Sequence, residues 1–162
     1  MQLRGFALTL GGLAIVAGSF WITLIGLQHI KSGGATRVPL DSFYVVPGCS
    51  FSGGAAEKLL TTLPEPGSYA ATALLPFPPS SAAPGKVRAR LQVLEGRLGI
   101  LVAENAAGAA AIVDKAVDVT AEPVQVDVDL PTVARARQVV LRNLNADGMR
   151  TRARIISIEA VM

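Results

Sequence analysis

One cysteine, one histidine and one tryptophan stand in a chain of 162 residues, and each scarcity closes off a class of chemistry. The lone Cys49 excludes any disulfide within the chain. The lone His29 lies at the end of an apolar run beside Lys31, so the rest of the chain has no imidazole base for Ser–His or Cys–His catalysis. It also has no His/Cys cluster for zinc. Next to Lys31, His29 reads as an interfacial side chain reaching the membrane surface and not as a haem or chlorophyll ligand. Trp21 lies in the same run, which leaves Phe43, Tyr44, Phe51, Tyr69 and Phe77 as the aromatics of everything after it. Neither sign of charge dominates: 15 Lys and Arg face 12 Asp and Glu, a net charge of +3. A nucleic-acid partner is not expected, because that role needs basic residues gathered on one face with aromatics among them. No cofactor is expected either.

What the chain does have is a long apolar start. Gly5–Ile30, "GFALTLGGLAIVAGSFWITLIGLQHI", is 26 residues without a formal charge, bracketed by Arg4 and Lys31. As a helix it would rise about 39 Å at about 1.5 Å per residue, enough for a hydrocarbon core of about 30 Å. It exceeds the apolar core of a signal peptide and lacks a small-residue cleavage site. The expectation is an uncleaved single-pass anchor over 1–31, a flexible linker over 32–41 and one domain over 42–162. The flanking charges nearly balance, and the short N-terminal tail favours an extracytoplasmic domain; the expected location is the bacterial inner membrane with the domain in the periplasm. At helical spacing Gly5, Thr9, Gly12, Val16, Ser19, Thr23 and Gly26 form a stripe of mostly small or hydroxylated residues. Such a stripe suits close packing against another transmembrane helix.

"VVPGCS" at Val45–Ser50 imitates a lipid-attachment box. The polar stretch "KSGGATRVPLDSFY" separates it from the apolar run, whereas lipid attachment requires the cysteine directly after that run. Cys49 is therefore read as an ordinary residue of the folded domain.

Beyond the linker the pattern is that of strands. In "KVRARLQV" Val87, Ala89, Leu91 and Val93 alternate with Arg88, Arg90 and Gln92; in "PVQVDVDLP" Val124, Val126, Val128 and Leu130 alternate with Gln125, Asp127 and Asp129. This is the period of a half-buried strand. Further strands are expected in Ser68–Phe77, Leu98–Glu104, Ala110–Val119, Ala136–Asn143 and Thr151–Val161, set apart by "LEGR", "NAAG" and "NADG". "AEKLLTTL" at Ala56–Leu63 reads as a helical turn or two. Seven or eight short strands imply an all-β antiparallel sandwich.

The order "YAATALLPF", "KVRARLQVLEGRLGILVAEN", "AVDVTAEPVQVDVDLP", "ARQVVLRNLN" and "RARIISIEAV" resembles the jelly roll of carbohydrate-binding modules, within the galactose-binding-like group. The resemblance spans Ser68–Val161 and rests on Gly96–Ile100, Val124–Leu130 and Val139–Asn143. It implies glycan binding, in which exposed aromatic faces stack on sugar rings beside polar side chains. With no tryptophan past residue 21, the residues left for that task are Tyr44 and Tyr69.

Asp127 and Asp129 share a strand face at roughly 6–7 Å, near the lower end of the carboxylate spacing of inverting glycosidases. Alternation explains them more simply, so an enzyme is not expected. Asp114, Asp118, Glu122, Asp127 and Asp129 precede Arg135, Arg137, Arg142, Arg150, Arg152 and Arg154, and opposite charges are expected to pair across the sheet. The sequence thus ranks first a non-catalytic accessory or assembly subunit of a larger membrane complex, respiratory or photosynthetic for example. Its partners would be transmembrane helices and the lipid bilayer. A membrane-tethered glycan-binding module ranks second.

Overall fold

The computed structural model describes residues 34–104 and 111–162. The run Gly5–Ile30, with the expected anchor and its stripe Gly5, Thr9, Gly12, Val16, Ser19, Thr23 and Gly26, lies outside them. Among the described residues no helix is long and apolar enough to cross a membrane.

Eleven strands carry those residues: β1 (Ala35–Val38), β2 (Tyr44–Val45), β3 (Ser50–Gly53), β4 (Lys58–Thr61), β5 (Tyr69–Leu74), β6 (Gly85–Glu95), β7 (Leu98–Ala103), β8 (Ala111–Val117), β9 (Val124–Leu130), β10 (Gln138–Asn143) and β11 (Arg152–Val161). The helical content among them is one 3-10 turn at Leu40–Ser42. The first sheet runs β3–β4–β11–β6–β9, and the second β2–β5–β10–β7–β8. All pairings are antiparallel. The molecule is an all-β antiparallel sandwich, as the alternation of "KVRARLQV" and "PVQVDVDLP" requires.

Two strands read otherwise in the sequence. Ala35–Val38, inside the span read as linker, pairs with β11 from Ala35↔Val161 to Val38↔Ile158. Its one inward side chain, Val38, is 1% exposed, too little apolar signal to announce a strand. Lys58–Thr61, read as helix, is β4. Leu60 is fully buried, and the segment pairs with β3 on one side and β11 on the other. Tertiary pairing overrides the helical tendency of Glu57, Lys58 and the leucines. β11 is long enough to serve both short strands: its first half pairs with β4 and its second half with β1, while β6 runs along its other edge.

The core lies between the sheets. Val87, Ala89, Leu91 and Val93 of β6, Ala153, Ile155, Ile158 and Ala160 of β11, and Val126, Val128 and Leu130 of β9 meet Leu98, Ile100 and Val102 of β7 and Val139 and Leu141 of β10. β7 departs from alternation because all six of its residues are buried. Leu101 and its cross-strand neighbour Val140 lie on the far side of the second sheet from this core. A chain crossing from one sheet to the other in two residues, Gly96 and Arg97, joins β6 to β7. Gly96 takes φ +77°, and a Cβ there would collide with the Asn145 amide and lie 2.9 Å from the Arg150 carbonyl.

One end of the sandwich is tied by a buried polar cluster. Asn143, fully buried, donates through its amide to the carbonyls of Leu63 at 2.9 Å and Met149 at 2.8 Å. Its Oδ1 accepts from Thr151 Oγ1 at 2.8 Å and from the Asn145 amide N–H at 3.1 Å. Thr62 Oγ1 in turn accepts from the Thr151 amide N–H at 2.9 Å. The two loops after β4 and β10 are held together by these bonds.

Candidate functional site

The residue types suited to a sugar gather on the outer face of the second sheet. Val139 and Leu141 point inward, so the alternate β10 residues Gln138, Val140 and Arg142 point outward. Register carries that face across the sheet. Tyr44 lies opposite Thr72, Thr72 opposite Val140, Val140 opposite Leu101 and Leu101 opposite Asp114, a single row from β2 to β8. The next row holds Leu74 opposite Gln138.

Tyr44 is 63% exposed and Leu74 72% exposed, at the β2–β5 edge. Between them Thr72 Oγ1 donates to Gln138 Oε1 at 3.3 Å. Neighbouring strands lie about 5 Å apart, so the exposed phenol ring, the hydroxyl and the amide, on three adjacent strands, are spread over about 10 Å, more than one sugar ring. Both tyrosines singled out in the sequence lie on this face. A bulge in β5 brings Tyr69 opposite Arg142, half-buried, where its carbonyl accepts from Cys49 Sγ at 3.9 Å. Cys49 itself packs against the core.

Arg142 forms an ion pair with Asp114 across the intervening strand β7. Gly99 makes that crossing feasible: a Cβ there would lie 2.8 Å from Arg142 Cγ. The pair joins Arg142 to one of the acidic residues upstream of it, as the sequence suggested. Asp127 departs from that expectation. Its cations come from β6, Lys86 at 3.0 Å and Arg88 at 3.1 Å, not from the arginines that follow it. The hydrogen bond from Arg88 holds the Asp127 carboxyl below its ordinary range, with help from Lys86. Reciprocally, Asp127 raises Arg88, and Glu159 adds to the effect. An alternating charge row results, Arg37, Glu159, Arg88, Asp127, on four adjacent strands of the first sheet. Asp127, one of the two carboxylates whose spacing was compared with that of glycosidases, therefore belongs to a salt-bridge ladder.

No model of a known protein family matches the chain, and no curated protein matches it. Solved structures do. A variant of the family 29 carbohydrate-binding module CBM29-2 superposes with a TM-score of 0.56 at 16% identity, over 78% of this chain and 90% of that one. A second CBM29-2 variant, complexed with cellulohexaose, gives 0.54 at 17% identity over 77% and 89%. A structure described as "CBM4 structure and function" gives 0.54 at 13% identity over 74% and 94%. The fold is a carbohydrate-binding-module-like β-sandwich.

This likeness corrects the ranking read from the sequence. The accessory subunit of a membrane complex, bracing it through helix packing, gives way to the glycan-binding alternative, because the solved structures that this sandwich resembles are carbohydrate-binding modules. The small-residue stripe behind that ranking lies outside the described residues, and in the sequence alone the lack of a tryptophan past residue 21 weighs against sugar stacking. Thr72, Gln138 and Leu74 were missed altogether. Thr72 and Gln138 are 66 residues apart, and only the β5–β10 register makes them neighbours.

Proposed function

We propose that the chain is a glycan-binding module, a jelly roll that binds without turning its ligand over, tethered to a membrane by the uncharged run Gly5–Ile30. The observation that carries the reading is Tyr44, an exposed ring on a sheet face beside the Thr72–Gln138 pair, in a fold shared with carbohydrate-binding modules. Tyr44 supplies the flat apolar surface on which the C–H face of a pyranose stacks. Thr72 and Gln138 supply hydroxyl and amide groups that exchange hydrogen bonds with sugar hydroxyls. Arg142, neutralised by Asp114, contributes directed donors without drawing in anions, so the ligand class is a neutral oligosaccharide. One tyrosine offers less stacking area than a tryptophan platform, and micromolar to millimolar affinity is the consequence.

The test is titration of the full-length chain with cellohexaose and mannohexaose. Saturable binding that weakens at least about tenfold in Tyr44→Ala, about 1.4 kcal/mol, supports the reading. Saturable binding unaffected by Tyr44→Ala, or none to any glycan on an array, refutes it.

A further inference from the structure

On the opposite side of the sandwich, register sets another row pointing outward: Ser52 of β3, Leu59 of β4, Arg154 of β11 and Gln92 of β6. Above it lies a groove of about 310 Å³ lined by Ser52, Glu57, Leu59, Leu94, Arg152 and Arg154 among others, at the lower end of the roughly 300–1,000 Å³ of small-ligand sites. Its apolar wall is Leu59 and Leu94. Its polar wall includes three cations, each held by a carboxylate: Lys58 Nζ to Asp41 Oδ1 at 2.6 Å, Arg152 Nη1 to Glu95 Oε1 at 2.9 Å and Arg154 Nη2 to Glu57 Oε2 at 2.7 Å. Arg154 Nη1 also donates to Gln92 Oε1 at 3.3 Å. Both arginine side chains remain about two-fifths exposed, at 43% and 41%.

We propose that this groove is a second saccharide site, so that the module holds a neutral oligosaccharide on each of its two outer faces. The inference rests on the glycan-binding reading and extends it to a surface outside the tyrosine face. Charge decides the ligand class. Each arginine is already matched by a glutamate and Lys58 by Asp41, which leaves little net attraction for an anion. What remains is a set of fixed donors and acceptors side by side, the complement of vicinal hydroxyl groups. An arginine has five N–H donors, and one or two bonds to carboxylate and amide oxygens leave others for a ligand. Leu59 and Leu94 offer the apolar patch that receives a ring's C–H face. Two sites on opposite sheets would let one domain bridge two polysaccharide chains, with the gain in avidity that bivalence brings.

The experiment is backbone-amide NMR titration of the full-length chain with cellohexaose and mannohexaose, followed at low and high salt. Two separate sets of shifts are expected, one at Tyr44 and Thr72 and one at Ser52–Leu59 and Arg152–Arg154. The groove set should persist in Tyr44→Ala, weaken at least about tenfold in Arg154→Ala and change little with salt. Shifts confined to the tyrosine face overturn the second site and leave the first standing. Shifts confined to the groove sustain the second site while refuting the first. A groove response that collapses at high salt overturns the neutral-ligand assignment. The wild-type titration locates the groove response without any variant, so instability of Arg154→Ala would not mask the outcome.

Discussion

Asp127 shows how much a single side chain can tie together. It receives Lys86 and Arg88 from the neighbouring strand, and its carboxyl is held below the ordinary value near 3.8. A group whose folded-state pKa is depressed stabilises the fold above its unfolded pKa, and that contribution fades as pH falls through the lower folded value. Asp127→Asn should therefore unfold at lower urea than wild type at neutral pH. The gap should close as pH drops below 3.8, where the wild-type carboxyl also takes up its proton. A gap that is constant with pH would mean that the side chain acts through packing. Asn143 is the more demanding residue, because it is fully buried and its partners are loop backbone. Removing its side chain in Asn143→Ala takes one donor from the Leu63 and Met149 carbonyls, which keep Thr62 Oγ1 and the Asn145 side-chain amide, and takes the Oδ1 acceptor from the Asn145 backbone N–H. A polar group left without its partner costs about 1–3 kcal/mol, so a loss of about 1–3 kcal/mol is expected in denaturant unfolding with an unchanged m-value.

Among the elements, the β6–β7 turn is the place where the chain leaves one sheet for the other. Gly96 at φ +77° fits there because a Cβ would meet the Asn145 amide. Gly96→Ala should destabilise by about 1–3 kcal/mol, read as a lowered thermal midpoint, whereas Gly148→Ala, also at positive φ but with open space around it, should cost less. The sequence announced this turn in "LEGR" and announced the long strand before it through its alternation. β6, β9 and β11 were legible because each has one face on the core and one largely in solvent, and that asymmetry writes a period of two. β1, β3 and β4 were not. They are four residues long and exist by virtue of their partners, so no local pattern distinguishes them from a linker or a helical turn. The same limit applied to the site. Tyr44 stood out by type, but Thr72 and Gln138 become part of the site only through a register that no local stretch encodes.

At the scale of the molecule, Ala35–Met162 is one compact unit whose two sheets enclose a continuous apolar core. A fragment of residues 35–162 is expected to fold by itself, with a β-type circular dichroism spectrum and a single cooperative urea transition. Shortening it further to residue 39 removes Val38 from the core and should lower the transition midpoint. Non-cooperative unfolding of the longer fragment would show that the preceding residues belong to the folding unit. The β1–β11 pairing has a mechanical corollary. Ala35 and Val161 are directly opposed, so a tether entering at residue 35 and a load attached at residue 162 leave from the same corner. Tension between them peels the pair apart one hydrogen bond at a time instead of shearing four at once. A domain strung between a surface and a polymer through these two ends would yield at low force, whereas one gripped by its outer faces would carry the pull across its sheets.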